Sequence, residues 1–310
     1  MEKKRRRSWV KILIVAVPVW LLVSGGIGLW AHFHYQEKER QEQQHAYRKD
    51  INAPSLVDDF NKITQQIGPR YHASEDGRNG LQRMASMIEG SLGVSNIGYE
   101  VKKIASLQHA ESVAPLLLAD VMRRETEEEI WLIVPYDSPV SLPRGAASAS
   151  AVSVSFAVAQ SLVGQPLERN VRFLYVPMAY AEEQRLDMAA QVRRLIGSTR
   201  RAVQVLVLGS MLHEGKMATL TRDTELLILR DASDLVVVSE GSEICFQDDG
   251  EFSSLLHEMN LPTALLFKRP EADMSALLED GIQAPADVLA ESAEQVVAVL
   301  QRLSHPTQKK

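Results

Sequence analysis

Residues 130–134, Ile-Trp-Leu-Ile-Val, form an unbroken apolar run, the pattern of a strand whose two faces are both covered by helices. Pro135 ends that run. Beyond a Gly-containing loop, residues 149–162 are small or apolar nearly all round, which predicts a helix packed tightly against the same sheet. Residues 169–178 and 203–208 read as further strands. Residues 116–121 read as a strand that turns back through the charged segment 123–129 to form a hairpin with 130–134. Helical spacing takes over at Leu56, Phe60, Ile63 and Ile67, again at Leu81, Met84, Met87, Ile88 and Leu92, and toward the C-terminus over 290–303. Strands alternating with helices predict an α/β domain. In open sheets of that class ligands bind where strands deliver their carboxyl ends into loops, so function is expected around residues 135–150.

The N-terminus follows a different pattern. Lys3, Lys4, Arg5, Arg6 and Arg7 precede an apolar stretch at 12–30, whose length at about 1.5 Å per residue comes close to a hydrocarbon core of about 30 Å. Trp9, Trp20 and Trp30, with Phe33 and Tyr35, would set rings near both interfaces, and the basic cluster predicts that the N-terminus stays in the cytoplasm. A cleaved signal peptide is the competing reading. The apolar run is longer than a usual signal core, however, and no A-x-A site follows it before His32. The expected organisation is a basic cytoplasmic tail (1–11), a single-pass transmembrane anchor (12–34), a polar stalk (35–52), an α/β domain (53–304) on the periplasmic or extracellular side, and a short tail (305–310).

Charge and cysteine content narrow the function classes. The chain of 310 residues carries a formal charge of −6, and six basic residues against Glu2 leave +5 in residues 1–11, so the remainder carries −11. An acidic ectodomain argues against nucleic acid as a partner. The single cysteine, Cys245, rules out an intrachain disulfide and reads as a small apolar side chain between Ile244 and Phe246. His32, His34 and His45 fall in or beside the stalk, and His213-Glu214 reads as a surface loop. No G-x-S-x-G elbow surrounds Ser148 or Ser150, and no Walker or dinucleotide glycine pattern is present.

Pro135-Tyr136-Asp137-Ser138 and the helix opening at residues 145–152, Gly-Ala-Ala-Ser-Ala-Ser-Ala-Val, resemble the HYDS and GANDNASG motifs of the two-zinc aminopeptidases and their glutaminyl-cyclase relatives (peptidase family M-28, clan MH). The likeness extends to Gly68-Pro69-Arg70 after the first helix and to Gly98-Tyr99-Glu100-Val101. It continues through Gln247-Asp248-Asp249-Gly250-Glu251-Phe252, Asn260-Leu261-Pro262-Thr263-Ala264 and Ile282-Gln283-Ala284-Pro285-Ala286-Asp287. The resemblance implies a three-layer sandwich around a central mixed, mostly parallel sheet, with zinc at the strand ends. It places the family's metal ligands on Pro135, Ser148, Tyr180, Gly209 and Gln283, and its general base on Ala179.

Paired zinc ions need several anionic or imidazole donors around an activated water. Proline and glycine supply none, and serine and glutamine are poor ones. The expectation is therefore a degenerate member without zinc or another cofactor, a pseudopeptidase ectodomain that binds or scaffolds a protein partner at the membrane. The alternative is a metallopeptidase or other hydrolase with a rebuilt site drawn from Asp137, Glu182, Glu183, Asp248, Asp249 and His257. His72 reads as a turn residue, and Asp287 as a turn or cap residue.

Overall fold

The computed structural model describes residues 50–105, 114–122, 126–141, 145–165, 167–199, 201–213, 217–220, 236–238, 247–268 and 285–304, with residues 19, 20, 24–26, 28, 30 and 32 nearer the N-terminus. The chain divides into two compact units, Met1–Tyr47 and Arg48–Lys310. In the first, the described residues are helical. Among the described residues no helix is long and apolar enough to cross a membrane. The expected span at 12–34 lies mostly outside them, as do Gln283, Cys245 and Glu214.

The second unit is a mixed α/β fold. In chain order it runs α1 (Ala53–Asn61), a π-helical continuation (Lys62–Ile67), α2 (Glu75–Leu92), β1 (Val101–Ile104), β2 (Leu116–Met122), β3 (Glu128–Pro135), α3 (Ala146–Ser161) and β4 (Asn170–Val176). Then follow α4 (Arg185–Gly197), β5 (Arg201–Leu208), β6 (Met217–Leu220), β7 (Val236–Val238), α5 (Gln247–Glu258), β8 (Thr263–Lys268) and α6 (Ala286–Ser304). Strands order as β1-β2-β4-β3-β5-β8-β6-β7. The centre, β4-β3-β5-β8, is parallel, while β1–β2, β2–β4 and β8–β6 pair antiparallel.

The apolar run of β3 serves two cores at once. Ile130, Leu132 and Val134 join the cluster that includes α1, α2, α3 and α6, whereas Trp131 and Ile133 join the cluster that includes α4 and α5. Successive strand residues face opposite sides, so both parities must be apolar. This central position also corrects the expected hairpin. β2 pairs with β1 and β4, and β4 lies between β2 and β3. A strand buried on both faces is completed by parallel neighbours, here β4 and β5, and the strands on either side of the charged segment do not pair with each other.

Helix α3 begins three residues before the expected 149 and is buried along nearly its whole length. Its small residues permit close approach to the sheet, and its serines other than Ser161 donate to carbonyls one turn back. Ser153 donates to the Ala149 carbonyl at 2.9 Å, and Ser155 shares a 2.9 Å hydrogen bond with the Tyr175 hydroxyl. At the C-terminal end of α3 the Val163 amide bonds to Gln160 rather than to Ala159. Tyr99 takes over there, its hydroxyl donating to the Ala159 carbonyl at 2.8 Å. Tyr99→Phe is expected to cost about 1–2 kcal/mol in urea unfolding, the value of one half-buried hydrogen bond with its acceptor left behind.

Candidate functional site at the carboxyl edge of the sheet

The parallel strands end together. Pro135 closes β3 in register with Val176 of β4, and the chain continues into Tyr136, whose amide donates to the Val176 carbonyl at 3.0 Å. Asp137 follows, 2% exposed. Its Oδ2 accepts the Tyr180 amide at 2.8 Å, while Oδ1 has no hydrogen-bond partner among the described residues. Burial pushes this carboxyl up to about 7, against the opposing pull of backbone amides and the nearby Arg70 charge. The loop that offers the Tyr180 amide is itself strained, since Met178 takes a left-handed φ of 62°.

Arg70 organises the opposite wall. Its side chain is 0% exposed, and every arm of the fork is engaged. Nε donates to the Tyr136 carbonyl at 3.0 Å, one terminal nitrogen to Ile63 and Gly68 carbonyls at 3.3 and 2.9 Å, and the other to the Gly145 carbonyl and Ser148 Oγ at 3.0 Å each. One side chain therefore ties the π-helical turn, the end of β3 and the start of α3. Backbone bonds reinforce the tie: the Ser138 amide donates to the Arg70 carbonyl at 2.7 Å, and the Arg70 amide to Ser138 Oγ at 3.0 Å. Burial pulls the guanidinium down to about 10, so it remains charged at neutral pH.

Two glycines make this approach possible. A Cβ on Gly80 of α2 would collide with the Pro69 carbonyl, which holds the segment before Arg70 against the helix. Gly145 has a left-handed φ of 54°, and a Cβ there would strike Ser138 and the guanidinium.

Beyond β5 the loop is pinned in the same way. Ser150 Oγ accepts the Met211 amide at 2.9 Å, and the Lys268 amide donates to the Ser210 carbonyl at 2.9 Å. The Lys268 side chain, 0% exposed, reaches Glu291 Oε1 of α6 at 3.2 Å. His213 is 7% exposed and burial lowers its pKa, which corrects its expected surface-loop position. The loop doubles back under α6 there, with Ser292 Oγ donating to the Met211 carbonyl at 3.4 Å.

The residues singled out in the sequence fall as follows. Ser148 is buried in the first turn of α3, donating to Gly145 and accepting from Arg70. Ala179 is buried and has no side-chain donor; its carbonyl accepts Arg185 Nε at 2.9 Å, and its amide favours the charged form of Asp137. Tyr180 contributes its amide to Asp137. The Gly209 amide is spent on the Leu266 carbonyl at 2.8 Å. Glu182 and Glu183 are exposed in the turn before α4, and Asp287 is exposed in the first turn of α6, where an acid suits the helix dipole. Asp248 and Asp249 open α5, with their side chains outside the described set. His257 lies in the last turn of α5, near the amino edge from which β8 starts, away from Asp137.

Among the described residues no group of three or more His, Cys, Asp or Glu side chains could hold a metal ion. At positions to which the resemblance assigns zinc ligands, Pro135 and Gly209 have no side-chain donor, and Ser148 Oγ is bonded to Gly145 and Arg70. Arg70 and Ser148 share a hydrogen-bonded seam with Gly145, and Asp137 feels the Arg70 charge while one of its carboxyl oxygens has no hydrogen-bond partner among the described residues. Sequence reading missed the parts played by Arg70 and Lys268. Gly-Pro-Arg signalled only a turn, and Lys268 only the end of an apolar run.

No family model and no curated protein sequence matches the chain. Solved structures do match in fold. The LapA aminopeptidase of Legionella pneumophila superposes with a TM-score of 0.62 at 12% identity, over 86% of this chain and 74% of that one. Glutaminyl cyclase from Porphyromonas gingivalis matches with a TM-score of 0.58 at 14% identity, over 82% and 99% of the two chains. A Zn-dependent exopeptidase from Parabacteroides distasonis gives 0.58 at 14%, again over 82% and 99%. The fold is that of zinc exopeptidases and glutaminyl cyclases.

Proposed function

We propose that this chain is a membrane-anchored pseudopeptidase, an aminopeptidase-type domain that no longer performs two-zinc chemistry and serves as a binding or scaffolding module for a protein partner. The carrying observation is the donor set at the strand ends. Ser148, at the bridging position, spends its hydroxyl on Arg70 and Gly145, and Pro135, Ala179 and Gly209 offer no side-chain donor. The basic N-terminus and the apolar residues 12–30 support a single-pass anchor with the domain outside the cytoplasm. The rebuilt-hydrolase reading has no comparable support, since Asp137 is buried, Glu182 and Glu183 are exposed, and His257 sits near the other edge.

The test pairs an activity assay with partner capture. Leucine p-nitroanilide hydrolysis and N-terminal glutaminyl cyclisation by the purified chain are expected to show no turnover that a chelator removes and added zinc restores. Crosslinking in intact membranes is expected to recover a protein bound through the α/β domain. Chelator-sensitive turnover, or a domain that crosslinks to nothing, contradicts the proposal.

A further inference from the structure

Away from the edge that carries Asp137, a groove of about 720 Å³ lies between the C-terminal part of α4 and the turn Met259, Asn260, Leu261 that leads from α5 into β8. Its floor is apolar, with Leu261 buried and Met259 half-buried. Arg193 and Arg194 line it from α4, both exposed, and neither side chain has a hydrogen bond or ion pair among the described residues. Asn260, held at a left-handed φ of 60°, adds an exposed amide.

One arginine has an ordinary explanation. Arg194 is in the last turn of α4, where a cation offsets the helix dipole. That role needs neither a second cation nor an apolar floor beside it. In a chain with a formal charge of −6, two uncompensated guanidiniums over buried apolar surface select an anion that also carries an apolar part. The volume falls within the range of about 300–1,000 Å³ typical of binding pockets, so there is room for far more than a lone ion.

We propose that this groove binds an acidic peptide segment of a partner protein. The segment would set an apolar side chain on Leu261 and Met259, give a carboxylate to each of Arg193 and Arg194, and bond its backbone to the Asn260 amide. The site is independent of what happened to zinc chemistry at the carboxyl edge, and it stands whether or not that edge is active.

The experiment titrates the full chain, in detergent, against a fluorescein-labelled hexapeptide of alternating Glu and Leu, read by anisotropy. Saturable binding is expected, weakened about tenfold by Arg193→Glu and about tenfold by Arg194→Glu, since a charge-assisted hydrogen bond is worth roughly that factor. The same peptide with Gln in place of Glu is expected to bind at least about tenfold more weakly. If Arg194→Glu lowers the unfolding temperature, Arg194→Gln, which spares the helix a new negative charge, is expected to weaken binding in the same direction. Undiminished binding by the variants, equal binding of the Gln peptide, or no binding of either peptide overturns the proposal. So does a preference for phosphatidylserine vesicles over the peptide that both arginine variants abolish, which would make the groove a lipid site.

Discussion

Replacing Arg70 with Ala is expected to remove about 4 kcal/mol or more from the stability of the α/β domain, measured by urea unfolding followed by far-ultraviolet circular dichroism. The deletion takes the guanidinium donors from the buried Gly68 and Tyr136 carbonyls and Ser148 Oγ, while the Ile63 and Gly145 carbonyls keep the Gly68 and Ala149 amides. Each buried acceptor without a donor costs about 1–3 kcal/mol, and the sum is not additive because the segments can relax and admit water. Even the reduced figure is large against a typical domain stability of about 5–15 kcal/mol. Arg70→Lys is the companion variant. It keeps the charge but offers a single nitrogen where the fork reaches three elements, so it is expected to recover less than half of the loss. An Arg70→Ala protein within about 1 kcal/mol of the parent would mean that the seam between α1, β3 and α3 is held by something else.

Asp137→Asn is expected to change the pH dependence of stability in a defined direction. The folded carboxyl is raised to about 7 from its ordinary 3.8, so the native state binds this proton more tightly than the unfolded chain. Its contribution is therefore full below about pH 4, declines as pH rises through about 7, and is level above that. At 1.36 kcal/mol per pH unit the window is worth on the order of 4 kcal/mol. Asn keeps an acceptor for the Tyr180 amide and cannot ionise. The variant and parent are thus expected to be similar near pH 4, with the variant the more stable near pH 8. Subtracting the two stability curves isolates Asp137 from other titrating groups. A flat difference curve between those limits would show that the buried carboxyl does not carry the strain assigned to it.

How much of this could be read from the chain depends on the range of the forces involved. Residues 130–134 declare a central strand because a covered sheet demands apolar side chains at both parities, and Trp131 and Ile133 do go to one core while Leu132 and Val134 go to the other. The compact helix after Gly145 is legible for the same reason, since small residues are what close packing requires. Pairing is less legible. β2 and β3 are adjacent in sequence, yet β4 separates them, and which strand completes β3 is decided by helices that pack far along the chain. β6 and β7 are too short to stand out.

The site shows the same division. Pro135, Ser148 and Gly209 can be recognised as poor metal donors from residue type alone, because chemistry belongs to the side chain. Burial belongs to the fold. Nothing local distinguishes Arg70 from a surface arginine, and its partners Tyr136, Gly145 and Ser148 lie 66 to 78 residues away. Lys268 has its partner on α6. Charged residues are almost never fully buried unless paired, so residue type alone gives no reason to expect either inside. His213 was misassigned for that reason as well, as a polar residue after a strand that the returning loop happens to cover.

The most direct measurement is the zinc content and zinc affinity of the full chain, by elemental analysis after gel filtration and by calorimetric titration. A site whose Ser148 hydroxyl is committed to Arg70 and Gly145, and whose Asp137 already accepts the Tyr180 amide, predicts far less than one retained zinc per chain and no tight-binding heat. About two retained zinc ions per chain, bound tightly and lost together with the stability they confer on chelation, would contradict it.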